Sequence, residues 1–273
     1  MKTMQIIGLM AIAWCFVGCE DVVTVDLETA APRLVIDASI DWEQNTTGAE
    51  QKIKLTTTTG YYSATFPTVS GADITVRNTA GTIFEFVETP GTGEYVCGNF
   101  EPVIGETYTL TILLNGQTYT ATETLTPTTP IEEQIEQNAE GGMAGDEMEI
   151  TYYHQDDGTR VDYYLYSVRT PRLAFPDYEI EDDDDVQGNL IPVYYAHEDL
   201  VAGDVINIKL YGISRRYYEY FYKLLTATGN DGMPFQPVPN VVRGNVVNQT
   251  NPVNFAFGYF RLSEVATRSY TIQ

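Results

Sequence analysis

The chain has 273 residues, 43% of them apolar and 19% charged, an ordinary globular composition that excludes wholesale disorder. Its 38 acidic side chains against 15 basic ones give a formal charge of -23. So few lysines and arginines cannot displace the counterions of a nucleic-acid backbone, which excludes that class of partner.

At the N-terminus, Lys2 precedes an apolar run from Ile6 to Val17, the layout of a signal peptide over residues 1–18. The run is well short of the roughly 20 residues that span a bilayer as a helix. Gly18-Cys19 supplies the small residue and the cysteine that a bacterial lipoprotein signal peptidase requires, with Phe16 where leucine is usual. Cys15, behind the bulky Trp14, fits less well. On this reading Cys19 carries the acyl chains that hold the protein to a membrane, and residues 19–32 form a tether. An ordinary signal peptide with an incidental cysteine is the alternative. With Cys15 cleaved away and Cys19 acylated, Cys97 is the remaining thiol, so no disulfide forms within one molecule. Lying in Tyr95-Val96-Cys97, it reads as a small buried strand residue.

From Arg33 to Thr126, short runs rich in Val, Ile, Thr, Tyr and Phe alternate with turn signals, which predicts an antiparallel β-sandwich of immunoglobulin-like or fibronectin-like type over residues 33–126. Strands are predicted at Arg33 to Ile40 and Gln51 to Thr57. A hairpin follows from Ile74 and Val76 to Phe84 and Phe86. A second joins Thr107 to Leu114 with Gln117 to Leu125 through Asn115-Gly116, the strongest two-residue turn signal. Residues 127–147, with two prolines, several glutamates and three glycines, read as a linker.

Residues 148–273 are predicted to form a second, tyrosine-rich β-sandwich. Met148 to His154 and Val161 to Val168 flank Asp156-Asp157-Gly158 as a hairpin. Further strands are expected at 190–197, 205–211, 240–248, 254–262 and 268–272. One amphipathic helix is predicted at about 214–228: Ser214 is the N-cap, Tyr217, Tyr220, Phe221, Leu224 and Leu225 recur at helical spacing, and Gly229 ends it. The fold class is therefore all-β, two sandwiches with one helix in the second.

Candidate chemistry is sparse. The run Glu179, Glu181, Asp182, Asp183, Asp184 and Asp185 reads chiefly as a solvated, mobile acidic loop. Asp182, Asp183 and Asp185 make a weak calcium candidate, because an EF-hand register started at Asp183 meets Tyr194 where a glutamate belongs. His154 and His197 each end a strand beside acidic residues, and surface histidines are the preferred reading over a metal or acid-base pair. No nucleophile motif, zinc spacing or phosphate loop is present. The tyrosines carry the most binding potential, 15 of 20 lying after residue 150. Adjacent strand residues face opposite ways, so Tyr152-Tyr153, Tyr163-Tyr164 and Tyr194-Tyr195 should each place one ring inside and one outside. The outer rings would suit a glycan, a peptide or a protein partner, although tyrosine is also simply a favoured strand residue.

Several segments now stand in a fixed order: Asp21-Val22-Val23 and Val25-Asp26-Leu27, Pro32 to Ile36, Gly93-Glu94-Tyr95, Gly105 to Leu110, Tyr119-Thr120-Ala121, Ser214 to Leu225, Val242 to Val246 and Gly258-Tyr259-Phe260. Together they resemble a domain-of-unknown-function family of Bacteroidota lipoproteins, often encoded beside a TonB-dependent outer-membrane receptor. The resemblance spans nearly the whole mature chain. It implies an outer-membrane lipoprotein, surface-exposed by preference, that assists a receptor in nutrient capture, and it brings no catalytic residues. Glu20 and Asp21 after Cys19 also resemble surface-export signals of such lipoproteins. The first expectation is accordingly a non-enzymatic accessory binding protein with no resident cofactor. A structural adhesin or envelope-assembly component and a surface hydrolase of glycan or peptide are the alternatives.

Overall fold

The computed structural model describes residues 30–60, 63, 65–228 and 241–273. The leader, Cys19, nearly all of the tether and Gly229 lie outside them. Fifteen strands and one helix are described. The first seven follow the sequence closely: β1 (Leu34–Glu43), β2 (Gln51–Thr57), β3 (Asp73–Asn78), β4 (Ile83–Thr89), β5 (Glu94–Cys97), β6 (Thr107–Leu114) and β7 (Gln117–Thr124). Asn115 and Gly116 both take positive φ, 50° and 72°, as a type I′ hairpin turn between β6 and β7 requires. In β6 the burial alternates residue by residue, with Tyr108, Leu110, Ile112 and Leu114 inside.

These strands form two facing layers. Ile36, Ala38, Ile40, Ile53 and Leu55 from β1 and β2 share one core with Ile74, Val76, Phe84, Phe86, Leu110 and Ile112 from β3, β4 and β6. β4 turns the corner, pairing with β3 in one layer and β5 in the other. Cys97 is part of this core, and burial pushes its thiol pKa up, as befits a packed rather than a reactive side chain.

The second half comprises β8 (Ile131–Gly141), β9 (Glu147–Gln155), β10 (Tyr163–Arg169), β11 (Asp177–Asp182), β12 (Leu190–His197), β13 (Val205–Gly212), α1 (Arg215–Thr228), β14 (Val247–Asn248) and β15 (Phe257–Thr271). Sheet β11-β10-β13-β15 faces a small sheet, β12-β9-β8, across a core built from Ile150, Tyr152, Tyr164, Tyr166, Val193 and Ile208. α1 covers the opposite face of β10 and β15 through Tyr217, which packs edge-on against Tyr259 at 4.9 Å. It starts as predicted, Ser214 Oγ accepting from the Tyr217 N–H.

Four expectations are corrected. Residues 131–141 of the expected linker are strand β8, pairing with β9. Their outward glutamates protect a sheet edge, which is why the segment reads as linker. Asp156-Asp157-Gly158 does not close a hairpin: β9 pairs with β8 and β12, whereas β10 pairs with β11 and β13 in the opposite layer. The strands expected at 254–262 and 268–272 are one continuous strand, β15, and among the described residues of the strand expected at 240–248 only Val247–Asn248 forms.

The fourth correction concerns the domain boundary. β15 runs parallel to β1, from Val35 opposite Phe257 to Glu43 opposite Val265, while every other paired strand is antiparallel to its neighbours. Phe260 and Leu262 complete the first core, and Ala266 belongs to the second. Val246 and Ala256 also return to the first core, so residues 148–273 do not form a separate unit. Gly258 permits the crossing. Its φ is +92°, and a Cβ there would strike the Ile36 carbonyl.

Gly258→Ala is therefore expected to lose well over the roughly 1–3 kcal/mol of left-handed backbone strain alone. Gly71→Ala, at φ +80° with open space around it, should lose only that strain. Urea denaturation of the two variants separates the collision from the backbone cost.

Candidate functional site

The tyrosine doublets behave as strand geometry requires. Tyr152 and Tyr164 are fully buried, their neighbours Tyr153 and Tyr163 partly exposed, and Tyr194 is 61% exposed beside the half-buried Tyr195. Tyr163 stacks obliquely on Tyr218 of α1, and Tyr153 points away from the core, so these two do not join the others.

Tyr152, Tyr194 and Tyr195 meet in a recess of about 590 Å³ at the open edge of β11. Tyr166 and Tyr178 join them from β10 and β11, Tyr218 and Tyr222 from α1, and Asp177 and Glu179 supply carboxylates. Tyr166 and Tyr178 were not singled out by the sequence reading, since neither stands in a doublet. β11 creates this wall: it is the last strand of the large sheet, and Glu179, Glu181 and Asp182 of the run read as a mobile acidic loop belong to it, while Asp183, Asp184 and Asp185 follow it. Asp177, Glu179 and Glu181 alternate onto one face, opposite Val168, Tyr166 and Tyr164 of β10. Inward-leaning charges on an edge strand deter strand-to-strand aggregation. Glu179 and Glu181 retain access to solvent but stand among aromatic rings, and the loss of hydration raises both carboxyls above the usual range.

Beneath the recess the second core is polar. His154, expected at the surface, is completely buried. Its Nε2 lies 2.9 Å from the Tyr166 hydroxyl and its Nδ1 3.2 Å from Thr129 Oγ1. Its ring packs against Tyr164 at 4.7 Å. The strand carrying it is covered by β10, which local sequence does not reveal. His197 ends β12, partly exposed, where its Nδ1 accepts from the Asp199 N–H. Tyr164 donates at 2.6 Å to Asp156. The Tyr152 hydroxyl is buried with no hydrogen-bond partner, and its pKa is raised, first by burial and then by Glu179 and Glu181.

Of the three aspartates proposed for calcium, Asp182 is half-buried, Asp185 exposed and Asp183 1% exposed. Asp183 lies with Asp156 and Asp162, not with Asp182 and Asp185. The last two join no such cluster among the described residues.

This architecture accompanies a family match: residues 20–269 match the model for "Domain of unknown function (DUF4249)". The chain belongs to that family. Two of the segments whose order suggested it meet in space, Asn245 of one bonding both the N–H and the carbonyl of Phe260 in the other. No curated protein matches this family member. Among solved structures it is similar to a two-domain fibronectin type-III segment of chicken tenascin, at 15% identity over 66% of this chain and 90% of that one, with a TM-score of 0.22. A cytokine receptor complex matches at 11% identity over 68% and 86%, with a TM-score of 0.27. A DUF4785 family protein of Legionella pneumophila matches at 6% identity and a TM-score of 0.26 over 66% of this chain, which spans about half of that protein's length, 52%.

Two predictions follow from the buried polar groups. Tyr152→Phe removes a hydroxyl that has no partner and is expected to leave stability unchanged or raise it, whereas Tyr164→Phe strips Asp156 of a donor and should cost about 1–3 kcal/mol. Chemical denaturation of both variants tests the contrast.

Burial also lowers the His154 pKa from 6.5 to about 4, against the opposing pull of Asp156. Because the unfolded chain then binds the extra proton first, this group's contribution to stability is intact above about pH 6.5 and declines as pH falls towards 4. NMR titration should show the His154 imidazole neutral at pH 6 and protonating near pH 4.

Proposed function

We propose that this protein is a non-enzymatic lipoprotein of the outer membrane, held at the cell surface by acylated Cys19, that serves a TonB-dependent receptor as an accessory binding protein. The observation that carries the binding role is the recess at the edge of β11. Tyr178, Tyr194 and Tyr222 are 44%, 61% and 40% exposed there, and the buried Tyr152 hydroxyl has no protein partner. Exposed aromatic rings with hydroxyls at their tips combine large contact area with low ordering cost, and they suit stacking on sugar rings or packing against a peptide. Asp177 and Glu179 at the rim favour hydroxyl-rich or cationic groups over anions. The leader and Cys19, read from sequence, supply the anchor. Among the described residues no helix is long and apolar enough to cross a membrane.

Mild-detergent purification of the protein from its native envelope tests the reading. Wild type is expected to bring down a TonB-dependent receptor in stoichiometric amount, and Cys19→Ala to lose it. Tyr194→Ala combined with Tyr178→Ala should weaken association about tenfold or more with no change in Tm, as loss of aromatic anchors does. Wild type emerging alone and unacylated would overturn the proposal. Full retention of the receptor by the double tyrosine variant would remove the recess from it.

A further inference from the structure

Three carboxylates meet where the loop joining β9 to β10 packs against the loop joining β11 to β12. Asp156, Asp162 and Asp183 are 4%, 4% and 1% exposed, and one oxygen from each lies within 4.8 Å of the others. The two loops interlock around them. The Asp156 N–H donates to the Asn189 carbonyl, the Asp183 N–H to the Asp162 carbonyl, and Gln187 Nε2 to the Arg160 carbonyl. A Cβ on Gly158 would press on Gly188 Cα at 2.8 Å, so the approach is close.

The donors reaching these carboxylates are few. Asp156 accepts from the Tyr164 hydroxyl at 2.6 Å and the Gly188 N–H at 2.7 Å. Asp162 accepts from Arg160 Nε at 2.7 and 2.9 Å, and more weakly from the Tyr164 hydroxyl at 3.4 Å. Asp183 Oδ2 accepts from the Asp162 N–H at 2.8 Å, but Asp183 Oδ1 is buried with no partner. An oxygen that is both charged and buried is costly to leave unmatched. The charge is unmatched as well. Among the described residues Arg160 is the single cation paired with the trio, and it also serves the half-exposed Asp157. Two negative charges are left among the three buried groups.

We propose that Asp156, Asp162 and Asp183 bind one calcium ion, with Asp183 Oδ1 as a direct ligand. A dication supplies the two missing charges, and the unpartnered Asp183 Oδ1 supplies a hard oxygen ligand. Calcium takes oxygen at about 2.3–2.6 Å, so ligands on opposite sides of the ion stand up to about 5 Å apart, which matches the spread of the trio. Magnesium, at about 2.0–2.1 Å, demands a tighter and more regular cage. The ion would fasten the two loops to each other. Asp183 directly follows β11, so loading would also stiffen the strand that carries Asp177 and Tyr178.

The test uses the full mature chain stripped of metal with a chelator, titrated with calcium chloride by calorimetry and followed by thermal denaturation. Wild type is expected to bind one equivalent with a Kd at or below about 10⁻³ M, the weak end for extracellular calcium modules, and to gain Tm with calcium concentration. Asp183→Asn keeps an oxygen for the Asp162 N–H and removes one charge. Without calcium it should be at least as stable as wild type, while its calcium affinity falls at least tenfold. That pair of results cannot come from a variant that fails to fold. Asp184→Asn and Asp185→Asn alter exposed neighbours and should bind calcium as wild type does. The proposal is overturned if wild type shows neither heat nor a Tm gain, if magnesium chloride acts equally well, or if the exposed variants lose as much affinity as Asp183→Asn.

Discussion

One strand belongs to both cores, and the rest of the molecule is arranged around it. Phe260 and Leu262 on one face of β15 fill the first core, and Ala266 on the same face reaches the second. Its other face carries Tyr259 and Val265 against α1. Burial on both faces makes residues 259–266 almost continuously apolar or neutralised, and this is the condition under which a parallel pairing such as β1 with β15 is stable. Ser263 and Glu264 interrupt that stretch, and so does Arg261. Only 5% exposed, it is held by Asp41 at 2.8 Å and Ser263 Oγ at 2.8 Å, and it lies over the ring of Tyr211 at 4.7 Å. A buried guanidinium needs such a set of partners to offset its lost hydration. This cluster also fixes where α1 docks, because Tyr217 packs over the same cation at 5.2 Å.

With the frame so determined, the two cores differ in kind. The first is aliphatic and aromatic, with the Phe84, Phe100 and Tyr108 rings grouped at 4.7 to 6.4 Å. The second places a neutral histidine, three tyrosine hydroxyls and buried carboxylates in its interior. Sequences normally avoid that arrangement because each buried polar group must find a partner. Here most do, through Thr129, His154 and Tyr166 on one side and Tyr164 with Asp156 on the other. The groups left without one, the Tyr152 hydroxyl and Asp183 Oδ1, lie beside the recess and in the carboxylate cluster respectively.

The sequence by itself determined what depends on near neighbours. Period-two alternation located β1 to β7, β9, β10, β12 and β13 to within a few residues. Asn115-Gly116 fixed a hairpin because its two positive φ angles are a local steric matter, and Ser214 fixed the start of α1 for the same reason. The all-β class, the inside-outside split of Tyr152-Tyr153 and Tyr194-Tyr195 and the packed role of Cys97 were legible on those grounds, whereas the outer ring of Tyr163-Tyr164 is covered by α1. Partner choice was not legible. Asp156-Asp157-Gly158 carries the same turn chemistry as a hairpin, yet β9 and β10 go to opposite layers. Glutamate-rich β8 and β11 form strands because a sheet edge awaits them, not through any propensity of their own. The union of β15 with β1, the burial of His154 and the meeting of Asp156, Asp162 and Asp183 all join residues distant in the chain. Burial and proximity of that kind are properties of the packed layers, so only the tertiary structure could decide them.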